Sequence, residues 1–470
     1  MLNKLVISEE KWHKLQEHLL QNSNEHLAFG LARYAKVGHN HILLVRDLIL
    51  IQDNHLETGN TWHGLSLKLE ALLEVMNKAN KEELVLVEVH SHPFSVDNVG
   101  FSYIDMRGQR ELFVHLQEVS PGRPYGAIII GQNAVKGLLW IPGMKRPVHL
   151  QEVRVLGDSI QSIPPSRVFR KNRHVMLPSP EVSSPYHRQI LALGKEGQCQ
   201  LERVMVGIVG LGGIGSIVAL ELAYLGLNHI ILVDDDSVEI TNLNRLVGAT
   251  AKEVGKPKVE VARDVFKSIK PNASVTLVKA SIRSSEALKL LKGADIIVGC
   301  VDTDSGRMIL NELALAYMIP LIDCGAGIEV RDGHIIEIGG RVIVWMPGRP
   351  CLLCAKEFVP RIAAEELESP EEKEFRQRHG YIAGADVKEP AVISLNGTVA
   401  SIAVSEFLAL VTGFKPSQHY TYYDMLEQRV VPRIVSKDRM CTACALEGIG
   451  DKASIDRYSR QGLPCDIPRI

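Results

Sequence analysis

This sequence lacks an excess of charge of either sign, and it lacks the long apolar runs of membrane proteins. Its 470 residues carry 53 Lys and Arg against 55 Asp and Glu, a formal net charge of −2. A near-neutral chain gives no electrostatic reason to expect a nucleic-acid or membrane-surface partner. No uninterrupted apolar run reaches the roughly 18–20 residues of a membrane span. The first residues, MLNKLVISEEKWHK, also lack the basic-then-apolar pattern of a signal peptide. The sequence therefore predicts a cytoplasmic protein that binds neither nucleic acid nor membranes.

Cysteine is also scarce. A cytoplasmic chain of this length with eight cysteines is not expected to build a disulfide framework. Four of the eight form two CxxC pairs, Cys351/Cys354 and Cys441/Cys444. Each pair can supply two thiolates to one tetrahedral ion, and four thiolates close a zinc ion to water. We therefore expect a structural zinc site made by all four cysteines, with a redox-active pair as the alternative.

Proline and serine concentrate in residues 156–185, between two different patterns of predicted elements. Prolines remove backbone donors and restrict the residues before them, so this stretch is predicted to be an extended linker. In residues 1–155, strand-like runs such as 125–130 alternate with amphipathic helical stretches such as 103–118. In residues 186–450, buried strands and helices follow one another in βαβ order, which indicates a doubly wound, Rossmann-like and mostly parallel sheet. The sequence thus predicts two α/β domains, with a C-terminal tail at 451–470.

A glycine-rich turn follows the first strand of the second domain, within VMVGIVGLGGIGS at residues 204–216. Such glycines allow a tight turn and let backbone N–H groups approach a phosphate at the positive end of the next helix. Asp234 and Asp236 close the following strand, where a carboxylate can hold ribose hydroxyls. These features alone also fit a nicotinamide or flavin dehydrogenase. The glycines are Gly210, Gly212, Gly213 and Gly215.

Polar and cationic residues beyond these acids distinguish the site from that of a dehydrogenase. Asn242, Arg245 and Lys258 follow the acidic strand end, and Asp302 follows a further predicted strand. A phosphoryl-transfer site needs such residues, because charge that builds on the α-phosphate and the leaving pyrophosphate must be neutralised. A carboxylate at the carboxyl end of a strand is well placed to hold Mg²⁺ on the phosphates.

The strings GLGGIGS, VDDDSVEITNLNR, GKPK and CVDTDSGR, in this order, resemble the motifs of one adenylyltransferase family. That family includes ubiquitin-activating enzymes and the ThiF/MoeB-type activators of sulfur-carrier proteins. The resemblance runs from about residue 186 to residue 444, and it implies ATP and Mg²⁺ as cofactors. It assigns the ribose to Asp234 or Asp236 and the magnesium ion to Asp302. It assigns the phosphates to Asn242, Arg245 and Lys258.

Two further features bear on this resemblance. Arg188, in the string YHRQ, matches an arginine that reaches the triphosphate of the partner subunit, which implies a homodimer. A second string, RYSRQ at residues 457–461, leaves Arg460 as the alternative.

Members of the family that pass the activated protein onward use a cysteine, commonly in or after the loop that follows the first CxxC. That loop contains no cysteine here, so the sequence predicts adenylation and does not identify a thioester cysteine.

Metal-ligand spacing marks the N-terminal domain. His90 and His92 flank one residue at a strand end, so their side chains can share an ion, and Asp105 begins a predicted helix. Two histidines and one carboxylate leave an open position on zinc. This arrangement lowers the pKa of a water that attacks an amide carbonyl. In this interpretation Glu25 is the general base, and Ser102 donates a hydrogen bond to the oxyanion.

HxHP followed by SxxD, with an upstream glutamate, resembles the JAMM (MPN/JAB) metalloprotease family, and Asp97 competes with Asp105 as the carboxylate. The resemblance implies cleavage of the peptide or isopeptide bond after the tail of a ubiquitin-like protein.

Together the two resemblances predict a bacterial enzyme that processes or deconjugates a ubiquitin-like protein and adenylates its C-terminal glycine. The resemblance also allows a conjugating enzyme as a further partner. The alternatives are activation of a sulfur carrier for cofactor or amino-acid synthesis, and a non-catalytic scaffold that binds nucleotide and metal.

Overall fold

The computed structural model of the chain divides into two compact units. The N-terminal unit comprises residues 1–176 with 448–452, and the C-terminal unit comprises residues 177–447 with 453–470. Most of the predicted linker lies outside the described residues, so its extended conformation stays a prediction. The structure describes residues 3–57, 67–163, 184–368 and 390–459.

Three α-helices and nine strands make up the described part of the N-terminal unit. The helices are α1 (Glu9–Leu19), α2 (Leu69–Lys81) and α3 (Tyr103–Val119). The strands are β1 (Lys4–Ser8), β2 (Leu27–Val37), β3 (Asn40–Leu50), β4 (Val85–Ser91), β5 (Tyr125–Ile130), β6 (Val135–Trp140), β7 (Val148–His149), β8 (Glu152–Leu156) and β9 (Ile160–Ile163). They form one mixed sheet in the order β7-β6-β5-β4-β2-β3-β1-β8-β9.

Helices cover both faces of this sheet. Successive side chains of a strand point to opposite faces, and β2 shows the result. Ala28 belongs to the hydrophobic core that contains Trp12 of α1. Its neighbour Phe29 belongs to the core that contains Val75 of α2 and Leu116 of α3. The strands between these helices are therefore apolar on both sides, as expected for a sheet that is buried on two faces.

The structure differs from the predicted linker at its start. Leu156 is the last residue of β8, which pairs in parallel with β1. Residues 160–163 then form β9, which pairs antiparallel with β8. Ile163 is buried in the core on the α1 side. The segment 156–163 thus belongs to the sheet, because its last apolar side chain has a core to enter.

The described part of the C-terminal unit contains seven α-helices and eight strands. The helices are α4 (His187–Arg203), α5 (Gly213–Leu225), α6 (Lys258–Ile269), α7 (Ser285–Leu291), α8 (Asp304–Tyr317), α9 (Pro360–Leu367) and α10 (Ile393–Thr412). The strands are β10 (Met205–Val209), β11 (His229–Val233), β12 (Ser274–Val278), β13 (Ile296–Gly299), β14 (Leu321–Arg331), β15 (His334–Trp345), β16 (Tyr420–Asp424) and β17 (Arg429–Pro432).

These strands form one sheet in the order β12-β11-β10-β13-β14-β15-β16-β17. The first five strands are parallel, and β14 to β17 pair antiparallel. The α/β class and the Rossmann-like sheet are confirmed, although the sheet is mixed rather than mostly parallel. The chain order reverses between β10 and β13, and ligands of open α/β sheets bind at the carboxyl ends of strands beside such a reversal.

Helix α10 differs from the expectation that no segment suits a membrane. Its length and composition are sufficient for a membrane span, with 56% of its most apolar window buried in the protein. It packs against α4, α5, β14 and β15. A core helix has the same composition as a span, so this helix is weak evidence for one. Polar residues such as Asn396 and Glu406 interrupt its apolar run in the sequence.

The predicted tail begins with folded residues. A short 3₁₀ helix, Ile455–Ser459, lies against α8. Arg457 Nη2 is 2.6 Å from Glu312 Oε2, and the Tyr458 hydroxyl donates to the same oxygen at 2.8 Å. These contacts belong to the C-terminal unit. Arg460 lies outside the described residues, so its alternative role stays open.

Candidate functional site

The glycine turn lies between β10 and α5, at the carboxyl edge of the sheet. Gly210 has φ +87°, a conformation that L side chains rarely adopt. At Gly215 an added Cβ would collide with the carbonyl oxygen of Gly210, so the turn is closed too tightly for alanine. Gly212 precedes α5 without any side-chain cap in the described structure. The first N–H groups of α5 are therefore available to an anion.

Sequence reasoning missed a residue at this turn. Asn396 of α10 is buried, and its side-chain amide lies where a Cβ of Gly213 would be. Asn396 is about 180 residues further along the chain, and nothing in its local sequence indicates that it meets the glycine turn. It adds a side-chain amide to the backbone groups at the start of α5.

Asp234 and Asp236 have different surroundings. Asp234 is buried, and its carboxylate accepts the N–H of Leu211 at 2.5 Å and the N–H of Asp236 at 2.9 Å. Burial raises the pKa of Asp234, against the hydrogen bond from Leu211. The side chain of Asp236 is 67% exposed. Asp234 thus holds the glycine turn to the end of β11, while Asp236 has carboxylate oxygens accessible to a ligand.

Lys258 and Asn242 lie on the segment that follows Asp236. Lys258 begins α6, and its Nζ is 2.6 Å from Asp236 Oδ2, with the lysine side chain largely buried. Asn242 accepts the N–H of Glu239 on its Oδ1 at 3.0 Å. This bond fixes the orientation of the Asn242 side chain, whose amide N–H groups can then serve as donors.

Arg245 is held beside the start of α5. Its Nη1 donates to the carbonyl oxygen of Thr241 at 2.7 Å and to Asn244 Oδ1 at 3.0 Å. Its Cδ lies 3.3 Å from the position of a Cβ on Gly213. The structure therefore brings this predicted phosphate ligand to the glycine turn.

Asp302 follows β13 and is exposed. Thr303 caps α8 by accepting the N–H of Gly306 on its hydroxyl at 3.2 Å, and this bond fixes the backbone next to Asp302. Strand β13 pairs in parallel with β10, with Gly299 opposite Val209. Asp302 and the glycine turn consequently share one edge of the sheet.

Arg188 lies in the first turn of α4 and is exposed. The helix is interrupted at Gly194, which has φ 75°. A contact between Arg188 and the nucleotide of a partner subunit stays a prediction.

A buried ion-pair network, also missed by sequence reasoning, supports the segment after Asp302. Asp323 has no exposed surface, and its Oδ2 is 2.6 Å from Arg341 Nη1 and 3.9 Å from Arg307 Nε. Glu357 pairs with Arg341 as well. Burial lowers the pKa of Arg341, but Asp323 and Glu357 outweigh burial and raise it. The partners come from β14, β15, α8 and the turn after Cys354, so no local pattern in the sequence indicates the network.

The four cysteines of the CxxC pairs meet in one cluster, as predicted, and the zinc ion itself stays a prediction. The Sγ–Sγ distances are 3.6 Å for Cys351–Cys441, 3.6 Å for Cys354–Cys444 and 3.8 Å for Cys351–Cys354. A tetrahedral ion with Zn–S bonds of about 2.3 Å separates its sulfurs by about 3.8 Å. Hydrogen bonding from the neighbouring Cys444 thiol lowers the pKa of Cys351 to about 5. The donor set and its spacing fit a zinc ion.

In the N-terminal unit, β4 and α3 bring three potential ligands together. The ligand atoms of His90, His92 and Asp105 lie within 4.8 Å of one another. His90 Nε2 is 3.7 Å from Asp105 Oδ1, and His92 Nε2 is 3.8 Å from Asp105 Oδ2. Glu25 Oε1 lies 3.6 Å from His92 Nε2. The other candidate, Asp97, is exposed and accepts a hydrogen bond from Asn133, so Asp105 is the carboxylate that meets the histidines.

The charges of this cluster are strongly coupled. Burial lowers the pKa of His90, but the carboxylates of Asp105 and Glu88 outweigh burial and raise it to about 9. Burial raises the pKa of Asp105, but the nearby imidazole of His90 outweighs burial and brings the pKa well below its usual range. Burial raises the pKa of Glu25, which favours a carboxyl that can take up and release a proton.

Ser102 caps α3. Its hydroxyl oxygen accepts the N–H of Asp105 at 3.1 Å, and its own N–H donates to Asp105 Oδ2 at 2.6 Å. This capping box orients Asp105 toward the histidines. The Ser102 hydroxyl hydrogen is not used by the cap, so it can be donated to an oxyanion.

The glycine turn, the strand-end acid, the cationic residues and Asp302 define the C-terminal unit as a nucleotide-binding α/β domain. The family model of the ThiF family matches residues 186–444, more than half of the chain. The protein belongs to the ThiF family.

Several named proteins are similar to more than half of this chain. Molybdopterin-synthase adenylyltransferase of Escherichia coli K12 is 29% identical over 263 residues, which are 55% of this chain and 95% of that protein. SAMP-activating enzyme E1 of Haloferax volcanii is 29% identical over 288 residues, 60% of this chain and 96% of that protein. The crystal structure of E. coli MccB with ATP has a TM-score of 0.45 and 21% identity, and the match covers 57% of this chain and 77% of that one.

Proposed function

We propose that the C-terminal unit uses ATP to adenylate the C-terminal glycine of a ubiquitin-like or sulfur-carrier protein. Membership of the ThiF family supports this proposal. So do the names of two relatives, one an adenylyltransferase and the other an activating enzyme. The observation that carries it is the position of Arg245 at the glycine turn, on a sheet edge that also holds Asp302. A cation and a carboxylate beside a phosphate turn suit phosphoryl transfer and serve no purpose in a dehydrogenase.

Each residue at this edge has a defined task. ATP supplies the α-phosphate to which the substrate carboxylate bonds, and pyrophosphate leaves. Asp236 accepts hydrogen bonds from ribose hydroxyls, since Asp234 already accepts two backbone N–H groups. Asp302 would hold Mg²⁺. The donors to phosphate oxygens are Asn242, Arg245, Lys258, the N–H groups that begin α5 and, from the partner subunit of a homodimer, Arg188.

ATP–pyrophosphate exchange in the presence of small proteins that end in diglycine tests this proposal. Exchange should depend on the protein substrate and should fall by about 100-fold or more in Asp302→Ala and Arg245→Ala. Asp264→Asn is the matched control, because Asp264 pairs with Arg263 on the surface of α6 and should leave exchange unchanged. Unchanged exchange in both test variants would contradict the proposal.

We infer a second activity, zinc-dependent cleavage of a peptide or isopeptide bond, for the N-terminal unit. The observation that favours it is the convergence of His90, His92 and Asp105 with Glu25 at 3.6 Å from His92. These three ligands would hold zinc, which supplies Lewis acidity toward a water and an amide carbonyl. Glu25 would take a proton from the attacking water and deliver it to the leaving amine, and Ser102 would donate to the oxyanion.

Cleavage of a ubiquitin-like protein fused through its diglycine end to a reporter peptide tests this second activity. Glu25→Gln should lower the rate by about 100-fold or more, and chelation of zinc should abolish cleavage. Asp97→Asn is the control that retains activity, because Asp97 does not contact the histidine cluster. Cleavage that survives in Glu25→Gln would exclude this role for the site.

Among the described residues the cysteines indicate no nucleophile for a step after adenylation, so the proposal ends at adenylation. Hydrogen bonding with Cys324 and burial raise the pKa of Cys300, so Cys300 is not a ready nucleophile. Cys324 is buried. Cys199 is exposed at the end of α4, and Cys465 lies outside the described residues. Transfer of the activated protein to a cysteine or to a conjugating enzyme stays a prediction, and activation of a sulfur carrier remains the alternative.

A further inference from the structure

Glu88 and Tyr125 form a polar chain behind His90 that neither proposed activity uses. His90 Nδ1 lies 3.3 Å from Glu88 Oε1, while His90 Nε2 lies 3.7 Å from Asp105 Oδ1. The Tyr125 hydroxyl donates to the second oxygen of Glu88, Oε2, at 2.5 Å. The two nitrogens of one imidazole therefore face two different carboxylates, and only one of these belongs to the candidate zinc site.

Two neighbouring strands, β4 and β5, fix the positions of Glu88, His90 and Tyr125. Glu88 and His90 are two residues apart on β4, so their side chains leave the same face of the sheet. Strand β5, which Tyr125 begins, pairs in parallel with β4. Tyr125 is fully buried in the apolar core on the α2 side, and the side chain of Glu88 is 18% exposed. A carboxylate and a phenol in such a place need each other as partners, because an unpaired buried polar group is costly.

We propose that Glu88, held by Tyr125, is a positioning residue for the zinc site of the N-terminal unit. This inference rests on the proposed zinc-dependent activity. With His90 Nδ1 at 3.3 Å from its Oε1, Glu88 would accept the Nδ1–H of His90 and so fix the tautomer whose Nε2 carries the lone pair. His90 Nε2 is a buried atom without a hydrogen-bond partner among the described residues, as expected of a nitrogen that a metal ion would bind. Carboxylates that hold a metal-ligating imidazole in this way typically contribute 10–100-fold to metal affinity.

Zinc affinity of the full-length protein, measured by competition with a chromophoric chelator, tests the inference. The wild type should bind two equivalents of zinc, and His90→Ala should bind only the one held by the four cysteines. Glu88→Ala should weaken the His90-dependent equivalent by roughly 10–100-fold. Glu88→Gln keeps an acceptor oxygen and should recover part of that loss. Tyr125→Phe should weaken the same equivalent by about twofold to fivefold, within the modest net worth of one hydrogen bond.

The absorption spectrum of bound Co²⁺ adds a readout that a purely structural role would not change. The ligand-field bands of the His90-dependent site should shift in Glu88→Gln, because the imidazole is held differently. The cysteine-dependent bands should stay constant. Glu111→Gln, on the exposed surface of α3, is the matched control. Should Glu88→Ala fail to fold, the nearly isosteric Glu88→Gln and Tyr125→Phe carry the test.

Two outcomes overturn the inference in distinguishable ways. If the wild type binds a His90-dependent zinc and both Glu88 variants bind it within about twofold of the wild type, Glu88 has no positioning role and the proposed activity still stands. If the wild type binds only the cysteine-held zinc, the proposed zinc-dependent activity fails and the inference fails with it.

Discussion

The sulfur atoms of Cys351 and Cys441 lie 3.6 Å apart, although 90 residues separate them in the chain. Cys351 follows β15, and Cys441 follows β17. Their CxxC partners complete the cluster from the same two turns. The four thiols thus connect the turn after β15 to the segment that follows β17. They lie far from the glycine turn in the sequence, and we expect them to have a structural role.

Loss of one of these sulfurs should destabilise the C-terminal unit. Cys441→Ser is expected to release one zinc per chain and to lower the free energy of unfolding by about 4 kcal/mol or more. The unfolded chain has no such site, so the free energy of zinc binding is part of the folding free energy. Zinc content by elemental analysis and urea denaturation measure both effects. Cys199→Ser, at an exposed position, should change neither. Full zinc content in Cys441→Ser would contradict a four-cysteine site.

Substitution by alanine should have different effects at Gly212 and Gly215, which lie three residues apart in the phosphate turn. Gly215→Ala should lower the free energy of unfolding by about 1–3 kcal/mol and abolish ATP binding, because its Cβ would collide with the Gly210 carbonyl. Gly212→Ala meets open space in the protein and should cost less than about 0.5 kcal/mol. Thermal denaturation with and without ATP compares the two. Equal destabilisation by Gly215→Ala and Gly212→Ala would show that the Gly210 carbonyl does not restrict position 215.

Loss of the Lys258 side chain should impair phosphate binding and leave the stability of the fold nearly unchanged. Its Nζ is paired with Asp236, and a bound triphosphate would offer a stronger partner. Lys258→Met should lower the pyrophosphate exchange rate by about 100-fold. The unfolding midpoint should stay near that of the wild type. Lys267→Met, on the same helix, is the control. A variant that unfolds earlier yet exchanges normally would reverse this assignment.

The pair Glu152–Arg154 should make the N-terminal unit sensitive to acid. Both side chains are buried, with Arg154 Nε 2.8 Å from Glu152 Oε1. Burial raises the pKa of Glu152, but Arg154 outweighs burial and brings it below its ordinary value of 4.5. A lowered pKa stabilises the folded state above pH 4.5, and this stabilisation is lost as the pH falls through the lowered value.

Glu152→Gln should therefore lower the free energy of unfolding by about 3 kcal/mol at neutral pH, since it removes a carboxylate that is paired with a buried guanidinium. The difference from the wild type should shrink as the pH falls below 4.5. Urea denaturation at a series of pH values measures it. Glu10→Gln, at an exposed pair on α1, is the control. A difference that stays constant down to strong acid would exclude this linkage.

The elements of the fold follow from the sequence wherever apolar periodicity is strong. The predicted strand at 125–130 coincides with β5, and the predicted helix at 103–118 differs from α3 by one residue. The antiparallel strands β15 to β17 were not predicted, although residues 332–333, Asp-Gly, join β14 to β15 as a two-residue hairpin turn that the sequence does show. The pairing of β15 with β16, by contrast, joins segments far apart in the chain and leaves no local signal. The start of the linker was placed too early, since β9 lies within a polar, proline-flanked stretch.

Some residues of the candidate sites could likewise be predicted from the sequence, and others could not. The CxxC pairs and the glycine turn carry their chemistry in their spacing, so the sequence indicates them. Asn396, Asp323 and Glu88 act through contacts with residues far away in the chain, and their own neighbours in sequence say nothing about those contacts. The sequence also left Asp234 and Asp236 as equal candidates, because only burial distinguishes the structural carboxylate from the accessible one.

Helix α10 has a consequence for how the protein is made. Its partners α4, α5, β14 and β15 all precede it in the chain. During synthesis on the ribosome these elements therefore emerge first, with an apolar surface that stays uncovered until α10 follows. A chaperone that recognises apolar surface would meet the nascent chain in this interval, and truncation before residue 393 would leave the surface bare permanently.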